Sequence, residues 1–247
     1  MKSIFKWLFD AKDWKLLLRS VPSLTITLFC VSVVVMNLMA SKTVLITETA
    51  WIGIDGGTLL SWIPFLCMDI LNKAYGARAT IKVNILALII NLFCVGVFAL
   101  ISKIQVGGNP AEFEAFNYVF GPAWQILLAS SVAFLVSGIL NSIVNVGIGK
   151  MFEHNPDGKA AYYTRSYVST IFAQFVDNFV FAFLAFVVFQ AAGSGWTMLT
   201  VLGSAIFTAI LEFIMEAVFS PIGFRVCKRW KEESVGKEYM EYINCCQ

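Results

Sequence analysis

SYVSTIFAQFVDNFVFAFLAF, residues 166–186, decides the fold. Twenty-one residues run with one charge among them, Asp177, and with aromatic and β-branched side chains on every side. About 20 apolar residues in helical form cross a hydrocarbon core of about 30 Å, and a helix apolar all round is a membrane span or a deeply buried core helix. The single acid is the informative exception, because a carboxylate at mid-span costs about 2.5–3.5 kcal/mol on insertion scales. Thr170, Gln174, Asp177 and Phe181 fall three or four residues apart, so they share one helical face. The stretch reads as a crossing with a polar seam.

Working outward, six such stretches appear, at 22–41, 58–75, 80–102, 122–148, 166–190 and 196–225. The 247 residues are 58% hydrophobic and 14% charged, against roughly 25% charged in soluble domains. The expected fold is therefore an all-α integral membrane protein with six transmembrane helices. Its parts would be a cytoplasmic amphipathic segment at 1–20, a six-helix membrane transport domain at 21–226 and a cytoplasmic tail at 227–247. No room remains for a soluble catalytic domain.

Lys and Arg alternate between the connections. Five precede the first span, and the later connections and tail hold 1, 3, 1, 3, 0 and 5. The positive-inside rule then puts both termini in the cytoplasm, in a cell's inner (plasma) membrane. No cleavable signal peptide is expected, because the start is charged and the first apolar run is long. Ile4, Leu8, Ala11, Trp14 and Leu18 form one stripe, which suits a helix lying on the inner membrane surface. The six cysteines fall in spans or on the cytoplasmic side, where disulfides are not favoured. No metal-binding spacing is present.

Four acids lie within the apolar segments: Asp69, Asp177, Glu212 and Glu216. The ordinary alternative is pairing with a nearby cation, and Lys73 stands four residues from Asp69. Yet each acid has polar or aromatic company on its own face. Trp62, Phe65, Asp69 and Asn72 share one; Ser137, Asn141 and Asn145 share another; Ser204, Thr208, Glu212, Glu216 and Ser220 recur every four residues. For Ser and Thr alone, interhelical hydrogen bonding suffices. For carboxylates beside amides on several helices, a polar central cavity is the stronger reading. Asn37 precedes Asp69 by 32 residues, and Asn145 precedes Asp177 by the same number, an echo expected of two inverted three-helix repeats.

Other function classes lose ground here. There is no G-x-x-x-x-G-K-[ST] run, and the single histidine, His154, lies in a polar connection. Nucleotide binding of the P-loop kind and histidine-metal chemistry are not expected, and neither is any cofactor. Two intramembrane aspartates bring an aspartyl protease to mind, but Gly-x-Gly-Asp is absent and no enzyme is expected.

Three stretches resemble one family. They are MNLMASKTV at 36–44, IPFLCMDILNKAYGARA at 63–79 and RSYVSTIFAQFVDNFVF at 165–181, with Pro221 after them in the same order. The family is VUT, the vitamin-uptake or queuosine-precursor transporters. The resemblance implies import of a 7-deazaguanine: the cyano or aminomethyl precursor of queuosine, or queuine. It singles out Asn37, Lys42, Asp69, Tyr75, Gly76, Arg165, Ser169, Thr170, Gln174 and Asp177. Two departures stand out: Lys73 where many relatives have Glu, and Glu212 with Glu216 where relatives often place Lys.

The residues suit such a ligand. N1–H and the exocyclic amine form a two-donor edge that one carboxylate accepts at once, and an aromatic ring can stack on the base. The expected binding residues are Asn37, Phe65, Asp69, Asn141, Gln174, Asp177 and Glu212, with Trp62, Asn145, Arg165, Thr170 and Glu216 around them. Asp69 and Asp177 are expected to meet in one central site. Arg165, following the polar HNPDGKAAYYT at 154–164, is expected at the cytoplasmic mouth. Expected partners are the deazaguanine and membrane lipid, with a homo-oligomer or a separate ATPase module as further candidates and no nucleic acid. In the ATPase case the chain would be the substrate-binding subunit of an ATP-driven importer.

Overall fold

The computed structural model describes residues 6–46, 52–104, 108–121, 123–151, 159–189 and 195–245, so His154 and Cys246 lie outside the described residues. A 3-10 turn at Lys6–Phe9 leads into helix α1 (Ala11–Ser20), and a bend of 102° leads on into α2 (Ser23–Met39). A short antiparallel hairpin follows, β1 (Thr43–Leu45) on β2 (Gly53–Asp55), with Thr43 opposite Asp55. The rest is helical: α3 (Thr58–Ile101), α4 (Pro110–Phe120), α5 (Ala123–Met151), α6 (Lys159–Ala182) running on as a π-helix at Phe183–Val188, α7 (Met198–Glu232) and α8 (Lys237–Cys245). Helices satisfy every backbone donor internally, the condition for crossing lipid.

Among the described residues, four helical stretches are long and apolar enough to cross a membrane: Thr58–Ile101, Pro110–Met151, Tyr163–Val188 and Met198–Glu232. Counting the bent pair α1 and α2 as one span makes a fifth. The first of these is not one rod. Forty-four residues of straight helix would run about 66 Å, twice a bilayer core. The break is at Gly76, whose φ of 80° and ψ of 171° belong to a region essentially reserved for glycine. Beyond it the chain folds back. Asn84 Nδ2 reaches Met68 Sδ at 3.3 Å, two atoms whose residues would sit about 24 Å apart on a continuous helix.

α3, α5, α6 and α7 form a ring in which α5 packs on α6, α6 on α7, α7 on α3 and α3 on α5. The diagonal pairs barely touch. α2 covers α3 from outside, and Phe29, Val33, Phe65, Met68, Leu71, Val83 and Phe134 share the main apolar cluster.

The ring has two distinct ends. At one, the hairpin folds over the bundle: Gly53 N–H donates to Ser204 Oγ at 2.7 Å, and the Trp196 ring lies so close to Gly53 that no Cβ would fit. At the other, the first and last described helices meet. α8 packs on α1, Tyr242 Oη donates to Asp10 Oδ2 at 2.9 Å, and Tyr75 Oη donates to the Ser20 carbonyl at 3.0 Å. These are called the hairpin end and the terminal end below.

Ile4 of the stripe expected on α1 lies outside the described residues, and α1 packs through a different face. Its fully buried residues are Asp13 and Leu17, while Leu18 of the expected membrane stripe stays exposed. The reason is electrostatic: Asp13 is fixed between Arg78 Nη2 and Lys82 Nζ, both at 2.7 Å. The hairpin and α4 lie in segments read as plain connections. α4 starts on a standard signal, Asn109 capping Ala111 N–H ahead of Pro110.

Candidate functional site

Each helix of the ring carries polar residues to its inner face, and they bond in levels. Nearest the hairpin end, Ser137 Oγ on α5 lies 2.6 Å from Asp177 Oδ1 on α6. Asn178 Nδ2 donates to Glu212 Oε2 on α7 at 2.7 Å, and Ser61 Oγ of α3 contacts Glu212 Oε1. One turn further along α7, Glu216 Oε1 accepts from Thr170 Oγ1 at 2.9 Å. Nearer the terminal end, Asn145 Nδ2 donates to Ser169 Oγ at 3.4 Å. Its Oδ1 accepts from Arg165 Nε and Nη2 at 3.2 and 2.8 Å. A polar axis thus threads the ring.

Midway along it stand Gln174 and Asn141. Both are completely buried, and neither amide's nitrogen or oxygen has a hydrogen-bond partner. Their level follows from their neighbours. Asn141 is one turn from Ser137 and one from Asn145, and both of those contact α6; Gln174 lies between Thr170 and Asp177, which bond to α7 and α5. A buried polar group without a partner costs about 1–3 kcal/mol. Four such atoms at one level make this the candidate level for a ligand.

Among the described residues, cavities lie at both ends of the axis. At the hairpin end a space of about 30 Å³ is lined by Asn37, Asp55, Ser61, Asp177, Phe181 and Glu212 among others. It holds a water or two and no fused-ring base. Asp55 caps the start of α3 by accepting from Gly57 and Thr58 N–H at 2.7 and 3.2 Å. Its burial nevertheless lifts the carboxyl to about 6. At the terminal end a cavity of about 970 Å³ opens between α3, α6, α7 and α8, with Lys73, Lys159, Arg165, Lys228, Lys231 and Lys237 on its wall. That volume lies within the range of small-molecule sites. The axis is thus narrow at the hairpin end and wide at the terminal end.

The residues expected at one site are divided by this geometry. Asn37, Asp177 and Glu212 line the small cavity. Thr170, Gln174, Asn141 and Glu216 hold the middle of the axis. Asn145 and Arg165 lie towards the terminal end. Asp69 does not line the cavity of Asp177; its Oδ2 pairs with Lys73 Nζ at 3.4 Å, and it lies within electrostatic reach of Arg165. Phe65 sits in the apolar cluster, and Trp62 stacks on Phe219 at 4.1 Å, whereas Phe181 lines the small cavity. Asp55, Ser61 and Asn178 were not anticipated. Asp55 lies in a short polar connection, where an acid ahead of two glycines reads as a turn.

A family profile described as "Putative vitamin uptake transporter" matches residues 55–226, more than two thirds of the chain. It covers α3, α5 and α6 and runs into α7 as far as Val226. No curated protein and no solved structure matches the chain.

Proposed function

The chain belongs to the family of vitamin uptake transporters, and on that premise we propose that it imports a 7-deazaguanine, the cyano or aminomethyl precursor of queuosine or queuine itself. The observation that carries this reading is the level of unpartnered amides, Gln174 and Asn141, between carboxylates on the same axis. Gln174 and Asn141 read the carbonyl and ring edges of the base. Glu216, a turn away and held by Thr170, accepts the two-donor edge. Asp177 and Glu212 close the hairpin side of the site, and Asp69 with Lys73 marks its way to the wide cavity. A site built of such donors and acceptors rejects a ligand that cannot match them.

Six crossings follow if the arms on either side of Gly76 are separate spans, with α2 as the first. The two halves then form inverted repeats. Asn37, Lys42, Ser61 and Asp69 recur 108 residues later as Asn145, Lys150, Ser169 and Asp177. At the hairpin end Asn37 of one half shares a cavity with Asp177 of the other. Towards the terminal end Asn145 binds Arg165, which faces Asp69. A two-fold axis in the membrane plane exchanges these two pairs, as in other carriers of this design.

The basic residues at the terminal end put it in the cytoplasm, in the plasma (inner) membrane, so the wide cavity is the exit. In a cysteine-free background, Ser234→Cys should resist an impermeant thiol reagent in intact cells and react after lysis. Labelling in intact cells would reverse the direction assigned to the axis.

Calorimetry on the purified full-length protein with 7-cyano-7-deazaguanine, 7-aminomethyl-7-deazaguanine, queuine and guanine tests the substrate. At least one deazaguanine should bind, more tightly than guanine. Binding of none, or a preference for guanine, would defeat the assignment.

A further inference from the structure

The small cavity at the hairpin end holds three carboxyl groups in a space for a water or two. Asp55 comes from the hairpin, Asp177 from α6 and Glu212 from α7. The other elements offer only neutral groups: Met36, Asn37 and Ala40 at the end of α2, Thr58 and Ser61 of α3, Ser130 of α5, and Asn178 and Phe181 of α6. Among the described residues no Lys, Arg or His lines it. Carboxylates this close cannot all be ionised without a counter-cation; paired acids in one site share protons instead.

The hydroxyl geometry gives a second, independent observation. Ser137 Oγ lies 2.6 Å from Asp177 Oδ1 and 3.2 Å from the Phe134 carbonyl. Ser61 Oγ contacts Glu212 Oε1 and lies 2.9 Å from the Thr58 carbonyl. A serine has one proton, and both of its neighbours here are acceptors when the acid is ionised. One contact in each pair would then lack a hydrogen. If the acid carries the proton, it donates to the serine oxygen and the serine donates to the carbonyl, so both contacts are made. The same arrangement occurs twice, on different helices. Glu212 Oε2 is already occupied by Asn178 Nδ2, which leaves Oε1 for the proton.

We infer that Asp177 and Glu212 are the proton carriers of the transport cycle and that uptake is coupled to protons moving inward with the ligand. This rests on the transport reading above and adds its energy source. With the hairpin end open, each carboxylate takes a proton from external water. Closure of that end then buries a neutral pair at little electrostatic cost. With the terminal end open, water entering along the axis past Glu216 accepts the protons, and the carboxylates are regenerated for the return. The coupled species is H⁺, and no bond other than O–H forms or breaks.

Infrared spectroscopy tests the protonation without any substrate. The purified full-length protein at neutral pH should show a carboxylic-acid C=O band that shifts in D₂O and weakens in both Asp177→Asn and Glu212→Gln. Its absence, or an unchanged band in both variants, overturns the inference. In wild-type liposomes, an acidic exterior should drive 7-cyano-7-deazaguanine above the level reached without a gradient, and a protonophore should abolish the excess. Accumulation driven by a sodium gradient instead, or indifferent to pH while exchange continues, also overturns it. If no deazaguanine is carried at all, the substrate reading falls, and the infrared band still decides this one.

Discussion

Gln174→Met and Asn141→Leu should each weaken deazaguanine binding at least about 100-fold while the ligand-free proteins melt no earlier than the wild type. The two readouts move apart because the amides have ligand-free partners on neither side. Each substitution keeps the approximate length or volume of the side chain and removes two polar atoms that are buried without hydrogen bonds. In the empty protein that relieves a penalty of about 1–3 kcal/mol per stranded group, so stability should hold or rise. In the complex it removes two hydrogen bonds of about 1 kcal/mol each and strands the ligand atoms they met. A total of about 2.8 kcal/mol is the stated hundredfold. A residue that merely braces the bundle would behave oppositely and lose stability when changed. Calorimetry with 7-cyano-7-deazaguanine and thermal unfolding in detergent give the two numbers. Wild-type affinity in both variants would move the site away from this level and into the wide cavity beside Arg165.

How much of this was visible beforehand depends on the length scale of the signal. Apolar runs of about 20 residues announce themselves: the expected stretch 58–75 lies within α3, and 122–148 and 196–225 fall on α5 and α7 save for their first one or two residues. Facial arithmetic was also reliable, since Thr170, Gln174 and Asp177 all turn inward as their spacing requires. Depth was the neglected coordinate. Asp69 lies seven residues before the Gly76 turn at the terminal end, about 10 Å in, whereas Asp177 lies 18 residues from the start of α6, about 27 Å from that same end. Sharing a polar character never put them at one level; counting rise per residue separates them. Phe65 shows the other limit. Its spacing groups it with Asp69, but a phenyl ring buries as favourably in an apolar cluster as against a base, and here the cluster has it.

The hairpin was illegible for a different reason. Strands of three residues give no alternation to read, and what holds them is tertiary: Ser204 on the backbone of Gly53 and Trp196 against it. Asp55 arrives at the acid cluster only because that hairpin folds over the ring, so the residue that crowds Asp177 and Glu212 had no signature of its own.

Asp13→Ala should be among the most destabilising single substitutions outside the axis. The Asp13 carboxylate is fully buried and makes the 2.7 Å ion pairs to Arg78 and Lys82. Trp7 lies 5.1 Å from the Arg78 guanidinium, and Trp14 lies 5.2 Å from the Lys82 ammonium. Both cations sit just past the Gly76 break, so the N-terminal helix grips the turn on which the two arms of α3 fold back. Removing the acid leaves a fully buried Lys82 beside Arg78, with only the more distant Asp10 to offset them. Breaking a buried pair from one side costs about 3–5 kcal/mol, and the lower end applies because Arg78 keeps 23% of its side chain exposed. The loss should appear as earlier thermal unfolding and as faster proteolysis within residues 6–20. A double variant distinguishes lost attraction from stranded charge. Lys82→Met on the Asp13→Ala background removes the buried cation as well, and an apolar replacement of a buried pair is often neutral, so much of the stability should return. A single variant as stable as the wild type would mean that water reaches this cluster and that α1 does not clamp the turn. If the single variant is weak and the double no better, packing around Trp7 and Trp14, and not charge, holds the terminal end together.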